Sequence, residues 1–179
     1  VFVENQVGGN GSGSVTITEA DISEADNTGV YVRTNGKVTV TGVTSNYAGN
    51  PAAGRGFDIQ VGESPAHVSG TVTLTNVRAE YNYGDGVLVQ ALRQITVKNI
   101  YVYYNYNNGI GVNLGTSGGV SILNPGGTTW NYVYYNPGGN LVINAGGDVV
   151  LQKVDMYYST AGYGAQVNAD GKVTITTMR

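Results

Sequence analysis

A chain of 179 residues can hold one domain with a substantial core, and its lack of cysteine excludes a disulfide framework, a thiolate metal site and a cysteine nucleophile. Nine basic against twelve acidic residues give a formal charge of −3 without any Lys/Arg cluster, so the counterion release that drives nucleic-acid binding is missing and neither nucleic acid nor an anionic membrane is expected as a partner. Only 12% of residues are charged, while 28 are Gly and 14 are Tyr against 2 Phe, a composition of strands and turns in which no apolar run approaches the roughly 20 residues of a membrane span.

The first residues, VFVENQVGGN, carry neither an initiator Met nor a signal-peptide pattern, which reads as a mature product or a fragment. Val1-Phe2-Val3 matches the second strand of the repeating unit described next, so the chain is expected to begin in mid-unit and to stop at Arg179 just after VTITTM opens another. Strand starts follow at Val15, Val38, Val72, Ile95, Val120, Val149 and Val173, with spacings of 23, 34, 23, 25, 29 and 24 residues. Each start is followed two residues later by a second apolar residue: Ile17, Val40, Leu74, Val97, Ile122, Leu151 and Ile175. A third apolar position lies five residues after the start (Ala20, Val43, Val77, Ile100, Val154, Met178) and a fourth at seven (Ile22, Ala79, Val102, Met156). Tyr47, Tyr81, Tyr104, Tyr135 and Tyr158 come next, then Asn82, Asn105 and Asn136, with Ser159 in the same place. A Gly or Asn before a second strand closes each unit, at Gly29, Gly56, Gly86, Gly109, Asn140 and Gly164.

A repeat of about 23 residues is too short for a four-stranded propeller blade and fits three short strands with three bends, one coil of a parallel β-solenoid. Equivalent residues should then stack at about 4.8 Å from coil to coil. Val15 through Val173 would form an aliphatic column, and Asn82, Asn105 and Asn136 a ladder of side-chain amides. A single solenoid domain over residues 1–179 is expected, with insertions at 49–55, 62–70 and 124–131, as part of a longer chain or of an end-to-end assembly. The phrases LTNVRAEYNYGDGVLV (Leu74–Val89) and VKNIYVYYNYNNGIGV (Val97–Val112) resemble the parallel β-helix repeat of pectate lyases, polygalacturonases, phage tailspikes and large bacterial surface proteins. That resemblance implies an all-β, right-handed, single-stranded parallel β-helix of about seven coils. It does not imply an enzyme, because one scaffold hosts unrelated activities.

The catalytic strings of the polygalacturonase relatives, clustered Asp pairs with Gly-His-Gly and Arg-x-Lys, are absent, and no catalytic residue is assigned. Pectate lyases need a carboxylate cluster for calcium and an Arg base. The nearest candidates are Arg55, Asp58 and Glu63, with His67, the only histidine, close by in SPAHVSG. These read chiefly as loop charges. Calcium is the one cofactor considered, from the Gly-Asp and Asp-Gly dipeptides at Gly84, Asp85, Gly147 and Asp170, which read first as turns.

The outward positions are more informative. Alternation puts Arg78 and Glu80 outside in one coil, and the following coils replace them with Tyr101, Tyr132 and Asp155 in one column and with Tyr103, Tyr134 and Tyr157 in the next; Tyr81 is placed inward or toward the turn. An exposed aromatic strip marks an interaction surface. The expected role is structural or adhesive, a rigid extracellular or cell-surface rod that associates with itself, end to end or side by side, or with other surface proteins. The alternative is a carbohydrate-binding or lyase-like β-helix acting on polysaccharide.

Overall fold

The computed structural model describes residues 1–5, 13–49, 54–62, 70–106, 109–124, 130–160 and 162–179. Every ladder between its strands is parallel. The strands in chain order are β1 (Phe2–Asn5), β2 (Val15–Thr18), β3 (Asp21–Ser23), β4 (Val30–Thr34), β5 (Val38–Thr41), β6 (Thr44–Asn46), β7 (Phe57–Val61), β8 (Val72–Glu80) and β9 (Val87–Ala91). They continue as β10 (Ile95–Tyr103), β11 (Ile110–Thr116), β12 (Val120–Leu123), β13 (Asn131–Tyr134), β14 (Gly139–Ala145), β15 (Val149–Tyr157), β16 (Ala165–Ala169) and β17 (Val173–Met178). One sheet stacks β1, β4, β7, β9, β11, β14 and β16; the other, ten strands, bends into two legs, and about six turns wind between them.

The first leg carries the aliphatic column in the register read from the repeat: Val15, Val38, Val72, Ile95, Val120, Val149 and Val173 pair in succession. The core lies between the sheets, and its Val, Ile and Leu side chains from Val30 to Val154 are almost wholly buried. Removing such aliphatic area from water at about 25 cal/mol per Å² is the dominant favourable term in a chain with no disulfide.

The odd spacing of the apolar positions, two, five and seven residues after the start, has a backbone cause. At four and nine residues the chain enters the left-handed region, which rotates one residue out of the alternation and bends the strand from one leg to the next. Glu19 (φ 50°), Gly42 (φ 66°), Asn76 (φ 53°), Asn99 (φ 54°), Lys153 (φ 48°) and Thr177 (φ 61°) form the first bend; Glu24 (φ 56°), Tyr47 (φ 53°), Tyr81 (φ 55°), Tyr104 (φ 53°), Tyr135 (φ 54°) and Tyr158 (φ 49°) form the second. The second-bend N–H groups from Glu24 to Tyr135 are nonetheless paired with the coil beyond, as from Tyr47 to the Glu80 carbonyl (3.1 Å) and from Tyr135 to the Tyr157 carbonyl (2.9 Å).

The residue after the second bend turns inward, and there the amide ladder forms. Asn82 Oδ1 accepts from the Ala48 N–H (3.0 Å), Asn82 Nδ2 donates to Asn105 Oδ1 (2.8 Å), and Asn105 Nδ2 donates to Asn136 Oδ1 (2.9 Å). Asn136 Nδ2 donates to Asn140 Oδ1 (3.0 Å) and Asn140 Nδ2 to the Tyr157 carbonyl (3.3 Å), so the run closes on a residue outside the expected ladder. The ladder also explains the glycine at the start of the third strand in three successive coils. A Cβ on Gly56 would stand 2.8 Å from Asn82 Nδ2, one on Gly86 2.7 Å from Asn105 Nδ2, and one on Gly111 2.5 Å from Asn136 Nδ2. The pairing of Val112 with Val87 makes Gly111, not Gly109, the partner of Gly86, because this coil is two residues longer before its third strand.

The coil from Val120 also departs from the pattern. Asn131, at 0% exposure, fills the core column next to Val154, and its Oδ1 accepts from the Ile100 N–H (3.2 Å) while Nδ2 donates to the Leu123 and Gln152 carbonyls (3.3 and 3.1 Å). It is fully satisfied, as a buried amide must be. Most of the three expected insertions falls outside the described residues.

Replacing Asn105 by Ala takes an acceptor from the Asn82 N–H and Nδ2 and a donor from Asn136 Oδ1; Asn82 Nδ2 keeps the Ser45 carbonyl and Asn136 Oδ1 keeps the Asn105 N–H, while the buried Asn82 N–H loses its acceptor. Each buried group left without its partner costs about 1–3 kcal/mol, so urea unfolding of Asn105→Ala should show a loss of at least about 2 kcal/mol with an unchanged m-value; a loss below about 0.5 kcal/mol, as for an ordinary surface change, would remove the ladder from the account.

Candidate functional site

The second leg carries the site. Its outward columns have the expected register: Arg78 pairs with Tyr101, Tyr101 with Tyr132 and Tyr132 with Asp155, while Glu80, Tyr103, Tyr134 and Tyr157 follow two residues on. The left-handed tyrosines make a further column that alternation alone places wrongly. Tyr81 does not point inward; the positive φ turns it outward beside Glu80, as it turns Tyr104 beside Tyr103 and Tyr158 beside Tyr157. The rings of this column stack face to face along the solenoid: Tyr47 on Tyr81 at 5.1 Å and 7°, Tyr81 on Tyr104 at 5.9 Å and 20°, Tyr104 on Tyr135 at 5.1 Å and 16°, and Tyr135 on Tyr158 at 5.1 Å and 19°. Tyr103 and Tyr157 pack edge-on against the stack at 4.5–5.9 Å. Tyr101, Tyr132 and Tyr134 join through tilted and edge contacts, and Tyr83 and Tyr106 extend the network at its upper corner. Twelve of the 14 tyrosines thus form one continuous array.

Charges border the array in closed pairs. Arg78 Nε meets Glu80 Oε1 at 2.5 Å with its guanidinium 4.8 Å from the centre of the Tyr101 ring. The Tyr134 hydroxyl donates to Asp155 Oδ2 (2.8 Å), which also accepts from Arg179 (2.9 Å), and that guanidinium lies 3.8 Å over the Trp130 ring. Removal from water raises the phenol pKa values of Tyr81, Tyr101, Tyr103, Tyr106 and Tyr134 above the ordinary 10.0; neighbouring phenols add to this, with Glu80 for Tyr101 and, for Tyr134, the hydrogen bond to Asp155. Tyr157 is raised first by its hydrogen bond with Tyr158.

The parallel coils and stacked ladders match a known family: its description, right handed beta helix region, fits residues 5–124. The chain belongs to that family. No curated protein and no solved structure matches it. The right-handed β-helix runs on past residue 124 in unbroken register, Val120 to Val149 to Val173.

A second cluster of this β-helix lies at the start of the third strand of its coils. Arg55 Nη1 meets Asp58 Oδ2 at 2.7 Å and Arg55 Nε stands 3.8 Å from Asp85 Oδ2; Gln60 donates to Asp58 Oδ1 (3.1 Å) and the Ile110 N–H to Asp85 Oδ1 (2.7 Å). Burial raises the Asp85 carboxyl pKa, and the hydrogen bond from Ile110 and the charge of Arg55 oppose the rise. Arg55 and Asp58 are therefore brought together, and Asp85, read from sequence as a turn residue, joins them across one coil. Glu63 and His67 lie outside the described residues. Among the described residues no group of three or more His, Cys, Asp or Glu side chains is placed to hold a metal ion.

Tyr81, Tyr101, Tyr103, Tyr106, Tyr134 and Tyr157 bind their protons more tightly folded than unfolded. Their contribution to stability is therefore fully present below pH 10.0 and is lost as pH rises through the folded values. A phenolate absorbance titration should show these six phenols ionising above the ordinary value, with Asp155→Asn lowering the midpoint of Tyr134. Ionisation at the ordinary value, unmoved by Asp155→Asn, would contradict the coupling.

Proposed function

We propose that this β-helix is a non-catalytic, rigid rod that works outside the cell or at its surface and presents the tyrosine array as a face for contact with proteins, either neighbouring copies of itself or other surface proteins. The observation that carries the reading is the continuous twelve-tyrosine array along the second leg and its bend. Tyrosine offers large amphipathic contact area with few rotatable bonds, so a pre-ordered row of it binds with little further loss of entropy. The charges at the border are already paired, which favours recognition through aromatic edges and hydroxyls over recognition of a charged polymer.

Protein contact is favoured over polysaccharide by the way the rings lie. A sugar ring stacks on an aromatic face, yet the faces in the central column are covered by the next tyrosine. A lyase-like site gains no support from Arg55. A lyase base must be free to reach its substrate, whereas Arg55 is tied to Asp58 at 2.7 Å and stands 3.8 Å from Asp85.

Tyr103→Ala combined with Tyr134→Ala should leave the strand circular dichroism intact and abolish most of the concentration-dependent self-association, or of the capture of surface proteins, measured by sedimentation velocity and surface binding. Undiminished association would overturn the reading, and saccharide-competed binding to a glycan panel would replace it with the carbohydrate-binding alternative.

A further inference from the structure

The tyrosine array is also a chain of oxidisable groups. Tyr47 and Tyr158 are four coils apart, roughly 19 Å at the spacing of parallel strands, and every step between them joins rings whose centres are 5.1–5.9 Å apart. The second column runs alongside, with crossing contacts from Tyr103 to Tyr135 at 5.6 Å and from Tyr101 to Tyr132 at 6.0 Å. Oxidation of a phenol at neutral pH must release its proton, and Tyr134 already donates its O–H to a carboxylate oxygen 2.8 Å away. The most exposed members lie at the two ends, Tyr47 at 50%, Tyr157 at 55% and Tyr158 at 56%, against 38% for Tyr104 in mid-stack and 36% for Tyr106 at the corner.

We propose that the array is a site of oxidative modification: it takes up one-electron oxidising equivalents from a peroxide-driven peroxidase, passes them from ring to ring, and ends them as dityrosine bonds between copies of this chain. Each oxidation removes one electron and one proton from a tyrosine O–H and leaves a neutral tyrosyl radical. Two radicals join by a carbon–carbon bond ortho to their oxygens; the two displaced ring protons are lost to water and the two oxygens are reprotonated, so both phenols are restored. Hydrogen peroxide takes the two electrons and two protons and leaves as two water molecules. The new bond lies in the plane of each ring, whereas neighbours within the stack meet face to face. Coupling inside the stack is therefore blocked by geometry, and the outward edges of the terminal rings are where a second copy can react.

Tyr163 provides the internal control. At 69% it is the most exposed tyrosine, and it belongs to none of the array's ring pairs. If simple exposure governs oxidation, Tyr163 reacts first. If the array governs it, the ends of the array do.

The chain has no cysteine, so Asp26→Cys introduces a single attachment point for a ruthenium photo-oxidant on the turn just after Glu24, beside Tyr47. With persulfate as electron acceptor, illumination should yield covalent dimers whose dityrosine links map by mass spectrometry to Tyr157 and Tyr158 at the far end. Tyr132→Phe with Tyr135→Phe keeps the ring packing but removes the oxidisable phenols through which the upper and lower halves touch. This variant should lose the Tyr157 and Tyr158 links and retain those at Tyr47. Links confined to the neighbourhood of the label in the parent protein, links led by Tyr163, or far-end links undiminished in the double variant would each overturn the proposal.

Discussion

The run of side-chain amide bonds from the Ala48 N–H to the Tyr157 carbonyl is the constraint on which the rest of this molecule depends. A parallel ladder of Val and Ile tolerates small slips, because aliphatic packing has no direction. A hydrogen-bonded amide does not. Asn82, Asn105 and Asn136 are each buried at 3% exposure or less, and each finds its partner only if successive coils stand in one register. The residue just before each is the left-handed tyrosine, so the register that satisfies the amides also sets the rings one above another. The same amides exclude a side chain at Gly56, Gly86 and Gly111. One short phrase, tyrosine then asparagine then a glycine before the next strand, therefore specifies bend, ladder and stack together.

The stack is held at a cost. A bulky residue in the left-handed region is strained by about 1–3 kcal/mol, while a well-placed aromatic pair gains about 0.5–1.5 kcal/mol beyond its buried area. Glycine or asparagine would form the bend without strain, as Gly42 and Asn76 do in the first bend. The rings thus do not improve the fold by much, and stability alone gives little reason to keep tyrosine at five successive second bends. Strain retained at an exposed position is better understood as the price of a surface with a use, whether that use is contact or chemistry.

Much of the architecture was legible in the sequence because it rests on residue types that repeat. The seven column starts, the Arg78–Tyr101–Tyr132–Asp155 register and the core of the Asn ladder all follow from aligning the phrase with itself. The phase of the left-handed tyrosines was not legible, since period-two alternation counts every residue as extended, and the YY dipeptides at Tyr103, Tyr134 and Tyr157 were the only signal of a second outward column. Asn140 and Asn131 escaped for a related reason: they lie in coils whose length departs from the period, where the ladder is completed by a residue from another place in the unit. Asp85 was hidden because its partner Arg55 is one coil and 30 residues away, a distance that no local motif spans.

The central claim is that the amide ladder pre-orders the tyrosine face, and exchange of the ladder's own side-chain protons tests it most directly. Nuclear magnetic resonance of the native protein should find the Nδ2 protons of Asn82, Asn105 and Asn136 exchanging with solvent only through global unfolding, with the rings of Tyr81, Tyr104 and Tyr135 flipping slowly in their stack. Side-chain amides that exchange as fast as those of exposed asparagines, beside tyrosine rings that flip freely, would mean that the face is not pre-ordered and that the account is wrong at its base.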